Sequence, residues 1–204
     1  PSEKNRHHPL CRRPPQRILR LSPLLAPGDA NVIGKGSETV LEYDVERYQR
    51  QIPLWGVEGQ DRLRRARVLV GGVGGLGTII AAYLALAGVG FLRLVDNDRV
   101  EISNLNRQLL FKATDIGREK AVAATERLQI LNPAIRIEGI NRTLNDGTVD
   151  ELIQDIDLIM DALDNFTARF LLNRAAFSHR LPLIHGAVRG FFGQATTLIP
   201  GRTA

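Results

Sequence analysis

A glycine-rich hexapeptide followed by an acidic residue is the strongest chemical signal in this sequence. The run Gly72-Val73-Gly74-Gly75-Leu76-Gly77 has the spacing G-x-G-x-x-G, and Asp96 comes 19 residues after its last glycine. Such glycines let backbone N–H groups approach a phosphate at a helix N-terminus, and the acid accepts hydrogen bonds from ribose hydroxyls. We therefore predict a bound adenine nucleotide; glycines that only permit close packing are the alternative. The pattern alone fits NAD as well as ATP. The predicted nucleotide ligands are Gly72, Gly74, Gly75, Gly77 and Asp96.

Polar and cationic residues follow this acid. The run Asp96-Asn97-Asp98-Arg99-Val100-Glu101 is followed closely by Ser103-Asn104-Leu105-Asn106-Arg107-Gln108, and Lys120 stands near the start of the next predicted helix. These side chains cluster where the phosphates should lie, so we expect them to contact the nucleotide. A solvated loop with a helix cap is the alternative, because serine and asparagine are good capping residues.

The pair Asp164-Asn165 follows the fourth predicted strand. Ligands of open α/β sheets bind outside the carboxyl ends of the strands, so we expect Asp164 to face the nucleotide or its Mg²⁺, with Asn165 beside it. Either residue could instead cap the helix that begins at Phe166. The two roles are compatible with each other.

Other candidate residues carry weaker signals. The run Arg47-Tyr48-Gln49-Arg50-Gln51, taken alone, is best interpreted as a partly exposed amphipathic helix. No Ser/His/Asp set and no His/Cys set with metal-ligand spacing is visible, and the single cysteine, Cys11, receives no role. We expect four arginines to form a solvated helix face: Arg62, Arg64, Arg65 and Arg67. We expect core or surface roles for three histidines: His7, His8 and His185.

The elements that must position these residues alternate along the chain. From Val40 onward, apolar strand-like runs alternate with amphipathic stretches, which is typical of a parallel sheet covered on both faces. We therefore predict a Rossmann-like, doubly wound, mostly parallel α/β sheet. Strands are predicted at 67–70, 91–95, 135–140, 158–161, 183–187 and 194–199, and helices at 78–87, 117–131, 149–154 and 166–178.

The positive charge lies mainly at the N-terminal end. Residues 1–40 hold seven Lys/Arg against three acids and six of the ten prolines. Such a segment cannot bury enough apolar surface to offset chain ordering. We therefore expect 1–40 to be a disordered tail and 41–204 to be the nucleotide-binding domain. The latter is nearly neutral, which argues against nucleic-acid binding. No apolar run approaches the roughly 18 to 20 residues that span a bilayer, so we expect a cytoplasmic protein without a membrane partner.

Five motifs, in the same order, resemble those of the ThiF/MoeB/HesA family, the bacterial and archaeal relatives of ubiquitin-activating enzymes. The likeness runs from about Tyr43 to the end of the sequence. The family patterns are R-Y-x-R-Q, G-x-G-G-L-G, S-N-L-x-R-Q, D-I-G-x-x-K and D-N. They match, in turn, the runs 47–51, 72–77, 103–108, 115–120 and 164–165.

The resemblance implies an ATP-dependent adenylyltransferase. Its substrate would be the C-terminal carboxylate of a small ubiquitin-like sulfur-carrier protein of ThiS or MoaD type with a Gly-Gly end, and acyl-adenylate and pyrophosphate would be the products. ATP would be bound by Gly74, Gly75 and Asp96, and Mg²⁺ would lie near Asp164. The implied phosphate ligands are Asn104, Arg107 and Lys120, and Ser103 and Asn165 are further cofactor-binding candidates. The implied catalytic residues are Arg50, Arg107, Lys120 and Asp164.

The resemblance also implies a homodimer in which Arg50 enters the partner's site. Family members usually continue through two C-x-x-C pairs that bind structural zinc; these ligands are absent before Ala204, so the sequence resembles a truncated member and no zinc site is predicted. The alternatives are a tRNA-modifying relative acting on a small-molecule carboxylate, an NAD(P)-dependent oxidoreductase, and a non-catalytic nucleotide-binding scaffold.

Overall fold

A six-stranded sheet forms the centre of the protein. The computed structural model describes residues 46–203, so the predicted tail, Cys11, His7 and His8 lie outside the described residues. The strand order is β3-β2-β1-β4-β5-β6, with parallel pairing except for the antiparallel β5–β6 hairpin. This order confirms the predicted Rossmann-like fold. The strands are β1 (Arg67–Gly71), β2 (Phe91–Val95), β3 (Arg136–Ile140), β4 (Leu158–Asp161), β5 (Leu183–Arg189) and β6 (Phe192–Leu198).

Helices cover both faces of this sheet. Val68 and Val70 of β1 face one core, while Leu69 between them faces the other, because successive side chains of a strand point to opposite faces. No helix within residues 46–203 is both long enough and apolar enough to cross a membrane. The helices are α1 (Ile52–Arg65), α2 (Gly75–Ala87), α3 (Lys120–Leu131), α4 (Val149–Leu152) and α5 (Phe166–Ser178). The first core lies under α2 and α3, and the second lies under α4 and α5.

Several predicted boundaries and one predicted helix face were wrong. Helix α3 begins at Lys120 rather than residue 117, because Gly117 has a φ of 85° and ends a turn. Helix α2 begins at Gly75, so the last glycines of the motif form its first turn instead of preceding it. Arg67 belongs to β1 and not to a helix face; its guanidinium carbon lies 4.2 Å from the centre of the Phe91 ring.

The segment that carries Arg50 is anchored at the C-terminal end of α2. The Tyr48 hydroxyl accepts a hydrogen bond from Asn132 Nδ2 at 2.9 Å, and Gln51 Nε2 donates to the Ala87 carbonyl at 2.7 Å. Gly88, with a φ of 86°, ends the helix; a Cβ there would lie 2.6 Å from the Tyr48 ring. Tyr48 and Gln51 of the R-Y-x-R-Q run therefore fix the backbone, and Arg50 is exposed between them.

We expect Gly77→Ala to destabilise the fold. A Cβ at Gly77 would lie 1.9 Å from the Gly72 carbonyl oxygen, so helix and turn would have to separate, at a cost of about 1–3 kcal/mol or more. Gly75→Ala is the matched control, because its Cβ would meet nothing closer than Arg107 Cδ at 3.6 Å. Urea unfolding measures both. Equal losses of stability in the two variants would contradict this account of the turn.

Candidate nucleotide-binding site

A cleft opens where the chain leaves the carboxyl ends of the strands. In the order β3-β2-β1-β4-β5-β6, the crossover direction changes between β1 and β4, which is where open α/β sheets bind ligands. The cleft encloses about 1010 Å³ between protein atoms, including its open mouth. Its lining comes from the loops after four strands and from the first turn of α5: Gly72 and Gly74; Asp96, Asn97 and Asp98; Arg142, Thr143 and Leu144; Ala162, Leu163, Asp164 and Asn165; Thr167 and Ala168.

The glycines of the turn divide into two classes. Gly72 has a φ of 85° and lies against the Ala162 backbone, and Gly77 lies against Gly72, so packing explains both residues. A Cβ on Gly74 or Gly75 would meet only side-chain atoms at 3.6 Å or more, which is ordinary contact. Packing therefore does not explain Gly74 and Gly75, whereas close approach of a ligand to the backbone does.

The N-terminus of α2 faces this turn without a side-chain cap. Gly74 occupies the N-cap position, and no side chain accepts a hydrogen bond from the first-turn N–H groups. The helix dipole and these N–H groups favour an anion. The mouth of the glycine turn is therefore suited to a phosphate.

Asp96 joins the glycine turn to the loop after β2. Its Oδ2 accepts the Val73 N–H at 2.7 Å, and its Oδ1 accepts the Asp98 N–H at 2.8 Å. Burial raises the pKa of Asp96 above the usual 3.8, although the two backbone hydrogen bonds and the charge of Lys120 oppose the rise. Each carboxylate oxygen keeps a further lone pair, so the group can still accept ribose hydroxyls.

Lys120 is buried at the start of α3, beside the cleft. Its Nζ lies 2.8 Å from Asp98 Oδ2, and the Lys120 side chain is 8% exposed while that of Asp98 is 58% exposed. Asp98 lines the cleft, and the Lys120 ammonium lies beside Asp98 rather than in the cleft lining itself. Contact with a phosphate stays a prediction.

The run 103–108 lies outside the cleft lining and approaches the N-terminus of α2 through Arg107 and Gln108. The stem of Arg107 lies beside Gly75, and its Nη1 donates to the Ser103 carbonyl at 2.8 Å. Asn104 is buried, and its Oδ1 accepts the Glu101 N–H at 2.9 Å. Asn104 therefore takes part in capping the short 3-10 turn Ile102–Asn104. The Ser103 hydroxyl donates to Glu101 at 3.2 Å. Phosphate binding by these residues stays a prediction.

Asp164 and Asn165 have separate roles. Asn165 caps α5, because its Oδ1 accepts the Ala168 N–H at 2.8 Å. Asp164 is exposed at the cleft, and within residues 46–203 its carboxylate has no hydrogen bond or ion pair. That part of the chain holds no group of three metal-binding side chains. Since Mg²⁺ is commonly held by one or two carboxylates plus substrate phosphates, the single free Asp164 fits a magnesium nucleotide.

Arg50 does not reach the cleft of its own chain. It lies at the C-terminal end of α2, whereas the glycine turn lies at the N-terminal end. The helix has 13 residues and is therefore about 20 Å long, which no side chain spans.

Three polar residues of the cleft lie outside the runs singled out in the sequence: Arg142, Thr143 and Thr167. Arg142 and Thr143 follow β3, so the rule on the carboxyl ends of strands could have found them. Arg142 also forms an ion pair with Glu151 at 2.8 Å.

Known proteins resemble this chain in sequence and in fold. It is 46% identical over 153 residues to the sulfur carrier protein adenylyltransferase of Thermus thermophilus, covering 74% of this chain and 56% of that protein. It is 41% identical over 157 residues to the molybdopterin-synthase adenylyltransferase of Escherichia coli, covering 76% and 63%. The chain thus spans less than two thirds of either relative.

A solved structure has the same fold. The E. coli tRNA N6-threonylcarbamoyladenosine dehydratase TcdA in complex with ATP superposes with a TM-score of 0.72 at 25% identity, covering 76% of this chain and 65% of that one. The model of the ThiF family matches residues 48–204, more than three quarters of the sequence. With the glycine turn, Asp96 and Asp164 at one cleft, these matches show that the chain belongs to the ThiF family.

Proposed function

We propose that this protein is an ATP-dependent adenylyltransferase that activates the C-terminal carboxylate of a ubiquitin-like sulfur-carrier protein of ThiS or MoaD type. The products are an acyl-adenylate and pyrophosphate. One observation carries the proposal: the uncapped N-terminus of α2 shares a cleft with Asp96 and the free carboxylate of Asp164. The named activities of the two curated relatives support it.

The reaction brings two anions together. A carboxylate attacks the α-phosphate of ATP, and like charges about 4 Å apart repel by about 4 kcal/mol at an effective dielectric of 20. Positive groups around the phosphates must offset this repulsion. The chain offers the N-terminus of α2, Arg107 beside Gly75, and Lys120. Mg²⁺ on Asp164 supplies further positive charge when it is bound. Catalysis then consists of positioning and charge stabilisation, and the step needs no protein nucleophile.

Lys120 is suited to exchange one anionic partner for another. Its present partner, Asp98, has a side chain that is 58% exposed. Water can solvate that carboxylate after the ammonium turns to a phosphate, so the exchange costs little. The buried stem of Lys120 meanwhile keeps the ammonium near the cleft.

Arg50 acts in a second subunit of a homodimer. Its distance from its own glycine turn rules out contact within one chain, and its exposure leaves it available to a partner's triphosphate. An arginine finger contributes roughly 10³ to 10⁵ in rate to phosphoryl transfer. Removing Arg50 should therefore affect turnover far more than folding.

Mixing two inactive variants tests this role. We expect Arg50→Ala and Asp164→Asn each to lack ATP–pyrophosphate exchange, and an equal mixture of re-equilibrated subunits to recover about a quarter of wild-type exchange. The mixed dimer has one site with an intact Asp164 and an intact partner Arg50. Near wild-type exchange by Arg50→Ala alone, or a mixture that stays inactive, would refute action in the partner.

The raised pKa of Asp96 predicts an effect of pH on nucleotide affinity. The ionised carboxylate accepts ribose hydroxyls, so affinity should be full above this pKa and fall as the pH drops through it, starting above the range of an ordinary aspartate. The loss should reach about ten-fold or more. Calorimetric titration with ATP measures it. Nucleotide phosphates also titrate, so Asp96→Asn, checked for folding, is the control. Parallel pH profiles of the two proteins would exclude this role.

The substrate class can be tested directly. ATP–pyrophosphate exchange should depend on a carrier protein with a free Gly-Gly end, chosen from a panel of ThiS-type and MoaD-type carriers. A carrier lacking the terminal glycine is the matched control, because it removes the correctly placed carboxylate. Exchange that ignores every carrier would exclude the proposed substrate, and binding of NADH without binding of ATP would favour an oxidoreductase.

A tRNA-modifying enzyme acting on a small-molecule carboxylate is the second candidate. Its support is the superposition on TcdA in complex with ATP. The carrier-activating candidate has stronger support, since identity to the two curated adenylyltransferases is 41% to 46%. Exchange stimulated by a small-molecule carboxylate or by modified tRNA, and by no carrier protein, would favour the second candidate.

A further inference from the structure

Three charged or titratable side chains meet beneath the loop that carries Asp164. Asp161 ends β4 and is 2% exposed; its Oδ2 lies 2.7 Å from Nδ1 of His185 on β5. Arg169 of α5 reaches the same point, with its Nη1 3.6 Å from Asp161 Oδ2 and 3.0 Å from His185 Nδ1. His185 therefore lies within a cluster that joins three elements, where a core or surface role was expected from the sequence.

This cluster holds both backbone polar groups of Leu163. The Leu163 N–H donates to Asp161 Oδ1 at 3.1 Å, and the Leu163 carbonyl accepts a hydrogen bond from Arg169 Nη2. Nη1 of the same guanidinium donates to the Gly186 carbonyl at 3.1 Å. Arg169 thus ties Leu163 to β5 through one rigid group.

Asp164 depends on this arrangement for its position. Within residues 46–203 its carboxylate has no hydrogen bond, so the backbone on either side sets where it points. Leu163 precedes it and is fixed by the cluster, and Asn165 follows it and is fixed as the cap of α5. A planar guanidinium can hold two carbonyls at once, which a lysine ammonium does not reproduce.

We propose that Arg169 is a positioning residue that aims Asp164 for binding of the magnesium nucleotide. The inference rests on the proposed function, in which Asp164 holds Mg²⁺. Arg169 contacts no substrate in this role and acts through Leu163. Loss of such an outer partner typically weakens metal binding by 10- to 100-fold.

Nucleotide titrations with and without magnesium test the proposal. We expect Arg169→Met to weaken binding of ATP in the presence of Mg²⁺ by at least about ten-fold, and to leave binding of ATP in EDTA unchanged. Arg169→Lys keeps the positive charge beside Asp161 but lacks the forked N–H donors of the guanidinium. We therefore expect a smaller loss of affinity for ATP in the presence of Mg²⁺. Should Arg169→Met not fold, the lysine variant decides. If the affinity for ATP falls equally with and without magnesium, or does not fall at all, the proposal is overturned.

Arg174→Met is the matched control. Arg174 lies on the same helix, but it forms an exposed ion pair with Asp146, away from the cleft lining. We expect it to bind ATP as the wild type does under both conditions. A magnesium-specific loss in this variant would mean that any arginine on α5 has the effect, which would overturn the specific role of Arg169.

Asp164→Asn separates failure of the inference from failure of the proposed function. If Asp164→Asn does not change the magnesium dependence, the metal role of Asp164 is wrong, and the inference falls with it. If Asp164→Asn does change it, Arg169→Met added to that variant should cause no further magnesium-specific loss. A full additional loss in the double variant would show that Arg169 acts by another route.

Discussion

The contact between Gly77 and the Gly72 carbonyl is the constraint on which the site depends. It allows the chain to pass from the centre of the sheet into α2 with no side chain between strand and helix. Because the turn is this tight, the first N–H groups of α2 lie at the switch point of the sheet. Any larger residue at Gly77 would move the helix away from β1, and the N-terminal end of α2 at the cleft would move with it.

Around this turn, the carboxylates have different environments and therefore different uses. Asp96 is partly buried, and backbone N–H groups hold both of its oxygens, so it fixes the turn while burial raises its pKa. Asp98 is exposed and keeps Lys120 near the cleft. Asp164 has no such bond in the described part of the chain. Local environment thus distinguishes a carboxylate held at both oxygens, one paired with a lysine, and one without a partner among the described residues.

Sequence patterns predicted the fold and the turn because both are indicated by residues that lie close together in the sequence. Central parallel strands such as β1 are continuous apolar runs, and the glycine spacing reports the turn directly. Other features depend on tertiary contacts. The left-handed Gly117 delays α3 to Lys120. The cluster at Arg169 could not be predicted, because it needs the pairing of β4 with β5 and the packing of α5.

Helix α2 also explains why one chain cannot complete the proposed site. Its N-terminus presents N–H groups to the cleft, while its C-terminus anchors Tyr48 and Gln51 about 20 Å away. Arg50 is therefore held with a defined backbone at a place where its own chain has no triphosphate. A two-fold interface uses the same surface on both subunits, so an Arg50 that reaches the partner's cleft completes both sites at once. Arg50 is too far from the cleft of its own chain to act there. In a dimer it can instead lie at the partner's cleft, so that both clefts are complete.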